Sequence, residues 1–434
     1  MQRTRENITM FLKKNINLIF LIIILIHFVS PAYADTIDLK DKFLWNKTVK
    51  LYLKYPLWTD MYAYDAGHFL MVPLHAAFLN NQEVWQIQFA QHFQRFVKAY
   101  PKYVTRNRLS RLQYLYLASR FLVLAAEKKK QGLIPSQLHS ILYTEIKNFW
   151  QKDPAWQWNR TPFLGGIRER VLWKLNHKNV KKSYYRAIID ETLFVFAIAA
   201  DLYTYERLSG VKNSPILTDI LNVAYRVFQQ EVVYQPDGGW LFQPGVWTDH
   251  PDYAYAGHKE KIPGMKPLPI PGIAWDSSHS HRFPLWLTSL AEAYPSGSKK
   301  RIFYNNLKKG LEKQLFNKVL VLPTKDFPGY RMRNFMDGRN GVYRWGYSTI
   351  GENSGYGPYE LSRTLFLGWW AFLGSPRILK VYQNIARSYP LSPKIVELYK
   401  PKTNRKRHPL ISDFNSGFRE LIVRTAGKLN LSTE

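Results

Sequence analysis

The residues 274–284 read Ala274-Trp275-Asp276-Ser277-Ser278-His279-Ser280-His281-Arg282-Phe283-Pro284, and they run into an apolar helical pattern of Phe283, Leu285, Trp286, Leu287 and Leu290. A carboxylate, two imidazoles and a guanidinium at a helix start are suited to proton transfer and anion binding. Asp276 with the His279-x-His281 pair would also suit a metal ion. Two residues apart on a helix, however, point about 200° away from each other. Because the following residues read as helix, neither a metal nor another cofactor is expected. If Asp276 and the serines served only as helix caps, both histidines and Arg282 would be left without a role.

Two further segments concentrate reactive side chains. Trp58 to His68 holds Asp60, Tyr62, Tyr64, Asp65 and His68. Asp60 fits a helix cap equally well. Asp65 and His68 are three apart and share one helical face, which would set them at the rim of a central cavity. Arg331 to Tyr347 and Glu352 to Glu360 alternate Arg339, Tyr343, Trp345, Tyr347, Asn353 and Tyr356 with glycine. Aromatic faces stack on sugar rings, and arginine pairs bidentately with carboxylate or sulfate. The same set would serve a single-stranded nucleic acid.

Compartment and charge choose between these. Lys13 and Lys14 precede an apolar run from Ile16 to Val29, followed by Pro31-Ala32-Tyr33-Ala34. This is the pattern of a secretory signal peptide, with Met1 or Met10 as its start. The run is shorter than the ~20 residues a spanning helix needs, so cleavage is expected in preference to a retained membrane anchor. The chain has 434 residues and a formal charge of +29. Without Arg3, Arg5, Glu6, Lys13 and Lys14, 57 basic and 31 acidic residues remain, or +26. That field attracts polyanions. Export argues against nucleic acid, and no helix-turn-helix, zinc-finger or RNP pattern occurs. The expected partner is an acidic polysaccharide, met in the periplasm or outside the cell, with no stable membrane insertion after cleavage. The absence of Cys removes disulfides, thiol nucleophiles and thiolate metal sites.

The elements that must position these residues read as helical. Spacings of three and four recur over 63–79, 83–99, 107–127, 135–150, 182–207, 214–232, 280–294, 297–316, 359–373 and 376–388. Several are apolar nearly all round, such as 193–200, and must lie between other helices. The expected fold is all-α, an α/α toroid or incomplete toroid of paired antiparallel helices. Two long segments rich in Gly, Pro and aromatic residues interrupt it, Tyr234 to Ala274 (with Trp240) and Leu322 to Pro358. Loops this long are functional or disordered, and their aromatic content favours order. They line a site, or form small β-hairpins that merely cap the bundle. The expected division is 1–34 signal peptide, 35–399 catalytic-like domain, and 400–434 basic linker and tail, the tail packing back as a helix.

The signal pattern, the paired helices and the Trp-Asp-Ser-Ser-His-Ser-His-Arg segment together resemble exported α/α-toroid enzymes that process polysaccharides, the polysaccharide lyases and glucuronyl C5-epimerases. That resemblance implies removal of the C5 proton of a uronic acid while its carboxylate is neutralised. It implies His279 or His281 as base or neutraliser and Tyr343, Tyr347 or Tyr356 as acid or base. Arg282, Arg339 or Asn353 would hold the carboxylate, with Asp276 in the catalytic group. Trp275, Trp240, Asp65 and His68 would line the sugar path. Two rival readings stay open. A glycoside hydrolase on the same scaffold would use a carboxylate pair drawn from Asp65, Asp237, Asp276 and Glu352. A non-catalytic glycan-binding protein would use the surface alone.

Overall fold

The computed structural model describes residues 37–102, 104–346, 354–400, 407–429 and 431. The predicted export segment lies outside them. The described residues from Leu39 onward form one compact unit. The unit that begins at Leu39 is mostly helical, with two small two-stranded sheets. No helix among the described residues is long and apolar enough to cross a membrane.

Its first helices are α1 (Leu39–Lys47), α2 (Val49–Tyr52), α3 (Ala63–Phe69), α4 (Met71–Leu79), α5 (Glu83–Ala99) and α6 (Arg108–Glu127). Then come α7 (Leu138–Gln151), α8 (Gly166–Asn176), α9 (Asp190–Leu208) and α10 (Pro215–Glu231). The sheet of β1 (Val232–Tyr234) and β2 (Trp240–Phe242) is antiparallel, with Val233 opposite Leu241. It is followed by α11 (Ser277–Ser280), α12 (Phe283–Glu292) and α13 (Lys299–Gln314). β3 (Leu320–Val321) pairs antiparallel with β4 (Arg331–Met332). The chain closes with α14 (Pro376–Arg387), α15 (Pro393–Tyr399), α16 (Pro409–Ser412) and α17 (Phe418–Ala426).

Two kinds of helix alternate. α6, α9 and α12 are buried nearly all round. α6 packs against both α3 and α9, and α9 packs in turn against α12. α5, α10 and α14 bury one face only. In α10 that face is Leu217, Ile220, Leu221, Ala224, Val227 and Phe228, the three-and-four spacing of an amphipathic helix. The close packing of α3 on α6 needs Gly67, where an added Cβ would stand 2.6 Å from the Gln113 carbonyl oxygen.

Two expectations change in detail. The helix expected over 182–207 begins only at Asp190, because tertiary partners take the backbone before it. Gln243 Oε1 accepts from the Ile188 N–H at 2.7 Å, and Asp249 Oδ2 accepts from Ser183 N–H at 3.0 Å. The expected helix 359–373 is two short 3-10 turns, Glu360–Leu367 and Trp369–Leu373, split at Gly368 with φ +78°. In the tail, α17 packs against α1, α4 and α14.

A buried ion cluster ties the three central helices. Arg120 Nη1 of α6 donates to Asp201 Oδ1 of α9 and to Glu292 Oε2 of α12, each at 2.8 Å. Ser119 Oγ donates to Asp201 Oδ2 at 2.6 Å. Such a pair contributes little over a well-packed apolar pair, but losing one partner strands a buried charge. Arg120→Met is expected to lower the unfolding free energy by about 3–5 kcal/mol in a urea titration. The double variant Arg120→Met/Asp201→Leu should recover a large part of that loss. Equal losses in both would show that charge compensation is not what Arg120 provides.

Candidate functional site

The segment before α12 is fixed by backbone pairing with the second long loop. Ser277 N–H donates to the Asn334 carbonyl at 2.8 Å, and Met336 N–H donates to the Trp275 carbonyl at 2.9 Å. Between them Asp276 is fully buried. Its carboxylate accepts from the backbone N–H groups of Ser278 and His279, at 3.0 and 3.1 Å, and so caps α11. It also accepts from the Tyr253 hydroxyl at 2.7 Å and lies 2.8 Å from His279 Nδ1. Burial pushes the Asp276 carboxyl up, but the nearby His279 and its hydrogen bonds with Ser278 pull it well below the usual carboxylate range. A carboxylate can only accept, so Nδ1 of His279 carries the hydrogen. Its Nε2 is then the ring nitrogen left for a ligand.

His279 stands where two cavities meet. One, of about 90 Å³, is lined by Tyr64, Asp65, His68, His281, Arg282, Arg344, Tyr356, Arg363, Arg407 and Arg419 among others. The other, of about 310 Å³, is lined by Trp158, Asp190, Trp247, His250, Asp252, Tyr253, Trp275, Tyr343 and Arg344. Among the described residues, only His279 and Arg344 line both. The first cavity is thus arginine-rich and the second aromatic.

Arg344 is aimed by its backbone and by Asp252. It adopts φ +57°, its N–H donates to the Asp252 carbonyl, and its Nε donates to Asp252 Oδ2, both at 2.8 Å. Beside it Tyr343 and Tyr356 pair backbone to backbone, with rings stacked 6.2 Å apart. The loops that carry these residues touch at Gly341, where a Cβ would fall 1.7 Å from the Ala256 carbonyl oxygen. Burial, and the Asp276 carboxylate with it, holds the Tyr343 phenol well above its usual value despite Arg344.

Arg282 is buried and fully engaged. Its Nε donates to His68 Nε2 at 3.1 Å, and its Nη1 donates to Asp190 Oδ2 at 3.0 Å. His68 Nδ1 must then donate to the Tyr64 carbonyl, 2.8 Å away. Arg282 therefore joins α12, α3 and α9 beneath the first cavity. His281 Nδ1 donates to the Ser278 carbonyl at 2.6 Å, while its buried Nε2 has no hydrogen-bond partner. Burial and then Arg282 hold the His281 imidazole well below its usual value, so it stays neutral.

Of the residues singled out in the sequence, Asp65, His68, His279, His281, Arg282 and Tyr356 converge on the first cavity. Trp275 and Tyr343 line the second, and Asp276 lies under His279. Tyr347, Asn353 and Glu352 fall outside the described residues. Two expectations are corrected. Trp240 lies in the core, its Nε1 donating to the Leu307 carbonyl at 2.7 Å and its ring edge-on to Phe283, so it lines neither cavity. Arg339 is spent on a local turn, Nη1 donating to Asp337 Oδ2 at 2.8 Å, and it too lies outside both cavities. Asp237, a carboxylate of the hydrolase reading, also lines neither.

Sequence reasoning missed Arg363, Arg407, Arg419 and Trp158. Arg419 carried a signal: it is the basic residue on the buried face of an otherwise amphipathic helix. Of the basic linker expected from residue 400, Arg407 and His408 are turned inward, His408 packing edge-on to Tyr55 with ring centroids 4.3 Å apart. Among the described residues no group of three or more His, Asp or Glu side chains is placed to hold a metal ion.

Asp276→Asn is expected to lower stability at pH 7 by about 2–4 kcal/mol, since it removes the charge that His279, Tyr253 and the α11 cap share. A carboxyl held below its unfolded value stabilises fully above that value and loses this as pH falls. The gap between wild type and variant should therefore be full at pH 7 and shrink below about pH 4. Denaturation at pH 7 and pH 3 reads it; a gap that stays constant would contradict the charge argument. Comparison with protein-family models finds no match for this chain, and comparison with curated proteins finds none either.

Proposed function

We propose that this protein is an exported enzyme of the α/α-toroid kind that acts on an acidic polysaccharide by C5-proton abstraction and β-elimination. The observation that carries the reading is the single imidazole, His279, held by a buried carboxylate at the junction of an arginine-lined and an aromatic-lined cavity. The alternation of wholly buried and one-sided helices supports the toroid. The leader pattern and the +26 charge of the remaining chain support export and a polyanionic substrate.

In this reading a uronic sugar lies across the junction, its ring against the aromatic wall. Arg344 pairs with its carboxylate and stabilises the charge that builds there when the C5 proton leaves. His279 Nε2 takes that proton, and Asp276 stabilises the imidazolium so formed. The C5 electron pair becomes the C4=C5 double bond, and the bond from C4 to the glycosidic oxygen breaks. The leaving oxygen takes the hydroxyl proton of Tyr356. That hydroxyl accepts from Arg363 Nη2 at 2.8 Å, which leaves its own hydrogen to be donated.

The hydrolase alternative has less support. Of the carboxylates it would draw on, Asp276 is buried against His279 and Asp237 lines neither cavity, while Asp190 and Asp252 reach the aromatic cavity but are paired with Arg282 and Arg344.

A panel of uronic-acid polymers should give a product that absorbs in the ultraviolet, and His279→Ala should lower kcat about 10²–10⁴-fold. Arg344→Gln should depress kcat more than it raises KM, because the carboxylate charge develops in the transition state. New reducing ends without absorbance would overturn elimination in favour of hydrolysis. Binding without turnover would overturn catalysis altogether.

A further inference from the structure

Arg363, Arg407 and Arg419 come to the first cavity from three separate parts of the chain: the turn Glu360–Leu367, the residues before α16, and the start of α17. Each has a buried nitrogen with no hydrogen-bond partner among the described residues, Arg363 Nη1, Arg407 Nε and Arg419 Nε. Among the described residues their cavity holds one carboxylate, Asp65, whose Oδ1 lies 3.9 Å from Arg407 Nε, an ion-pair distance beyond hydrogen-bond reach, and is buried without a hydrogen bond. Arg419 is packed tightly, its guanidinium over Phe414 at 4.1 Å and over Phe69 at 4.7 Å. Burial, then the repulsion of Arg407, disfavours the charged form of Arg419. Burial likewise disfavours that of Arg363.

Three guanidiniums facing one carboxylate in a buried space is an arrangement that the free protein holds at a cost. Orphaned buried donors ask for an acceptor. Among the described residues the rest of the lining adds no further carboxylate: Arg282 and Arg344 add positive charge, and their own carboxylates are already engaged. A bound oxyanion would satisfy the free N–H groups and offset the repulsion at once.

We infer that Arg363, Arg407 and Arg419 form an oxyanion subsite, separate from the carboxylate contact at Arg344, that takes the acidic substituent of a sugar next to the reacting one. The shared chemistry is a ring-borne oxyanion, either a second uronate carboxylate or a sulfate half-ester. The substrate is then a polymer with charged groups on adjacent units rather than one with isolated uronic acids. The identity of the neighbouring sugar rests on the elimination reading above. The oxyanion site itself does not.

Calorimetric titration of the whole protein with sodium sulfate and, separately, sodium acetate tests it. The wild type should bind one oxyanion, and Arg419→Met and Arg407→Gln should each weaken that binding at least tenfold. Arg339→Gln, which lies outside both cavities, should bind as the wild type does. Arg419→Met keeps an unbranched side chain between Phe69 and Phe414, and its thermal transition without anion checks that it is folded. Tighter sulfate than acetate assigns a sulfate half-ester, and the reverse assigns a carboxylate; either supports the subsite. Equal, weak binding to all four proteins would show only diffuse attraction to a basic surface and would overturn it. Because the readout is binding, a failure here is distinct from a failure to find elimination.

Discussion

The site depends on one buried carboxylate. Asp276 has no exposure to solvent, yet it stays ionised because the N–H groups of Ser278 and His279, the Tyr253 hydroxyl and the His279 imidazole all converge on it. Each partner comes from a different requirement of the fold. The N–H groups begin α11, Tyr253 is delivered by the first long loop, and the imidazole is turned back three residues along the chain. An unpaired charge at this depth would cost several kcal/mol, so the partners cannot drift without the charge moving or neutralising. A local helix cap thereby becomes a device that orients the His279 imidazole.

Below it a second layer of pairing sets the distance between elements. Arg282 links α12 to His68 of α3 and Asp190 of α9, and further along the same helices Arg120 links α6, α9 and α12. The central helices are thus pinned at two levels by arginines whose acids come from neighbouring helices. The other cavity arginines are treated differently. Arg363, Arg407 and Arg419 are gathered on one cavity with a single carboxylate, Asp65, among the described residues named in its lining. That gathering, more than the net charge of the chain, is what the proposed anion site rests on.

Much of this was legible in the sequence, and the failures have physical causes. The cluster Asp276, His279, His281 and Arg282 stood out because reactive side chains at the head of an apolar helix have few other uses. Tyr343 and Tyr356 stood out through their glycine-rich, aromatic setting. The helices were legible from periodicity wherever the backbone satisfied itself, and not at 182–189, where Gln243 and Asp249 supply the partners instead. Trp240 was misplaced because an indole that closes a hairpin against the core carries the same composition signal as one that stacks on a sugar. Arg407 was hidden in a run of basic residues that reads as solvated chain. Arg419 and Arg363 were hidden because a lone arginine in a helix ordinarily points to water, and only tertiary packing shows that these point inward.

The account stands most directly on the state of one ring. Nitrogen-15 and proton resonances of the His279 imidazole, assigned by their loss in His279→Gln, report which nitrogen bears the hydrogen. Protonated Nδ1 with a slowly exchanging proton shared toward Asp276, and Nε2 open to the cavities, is the predicted result. An imidazole protonated on Nε2 with a bare Nδ1 would mean that Asp276 does not hold the base, and the account of the site would be contradicted.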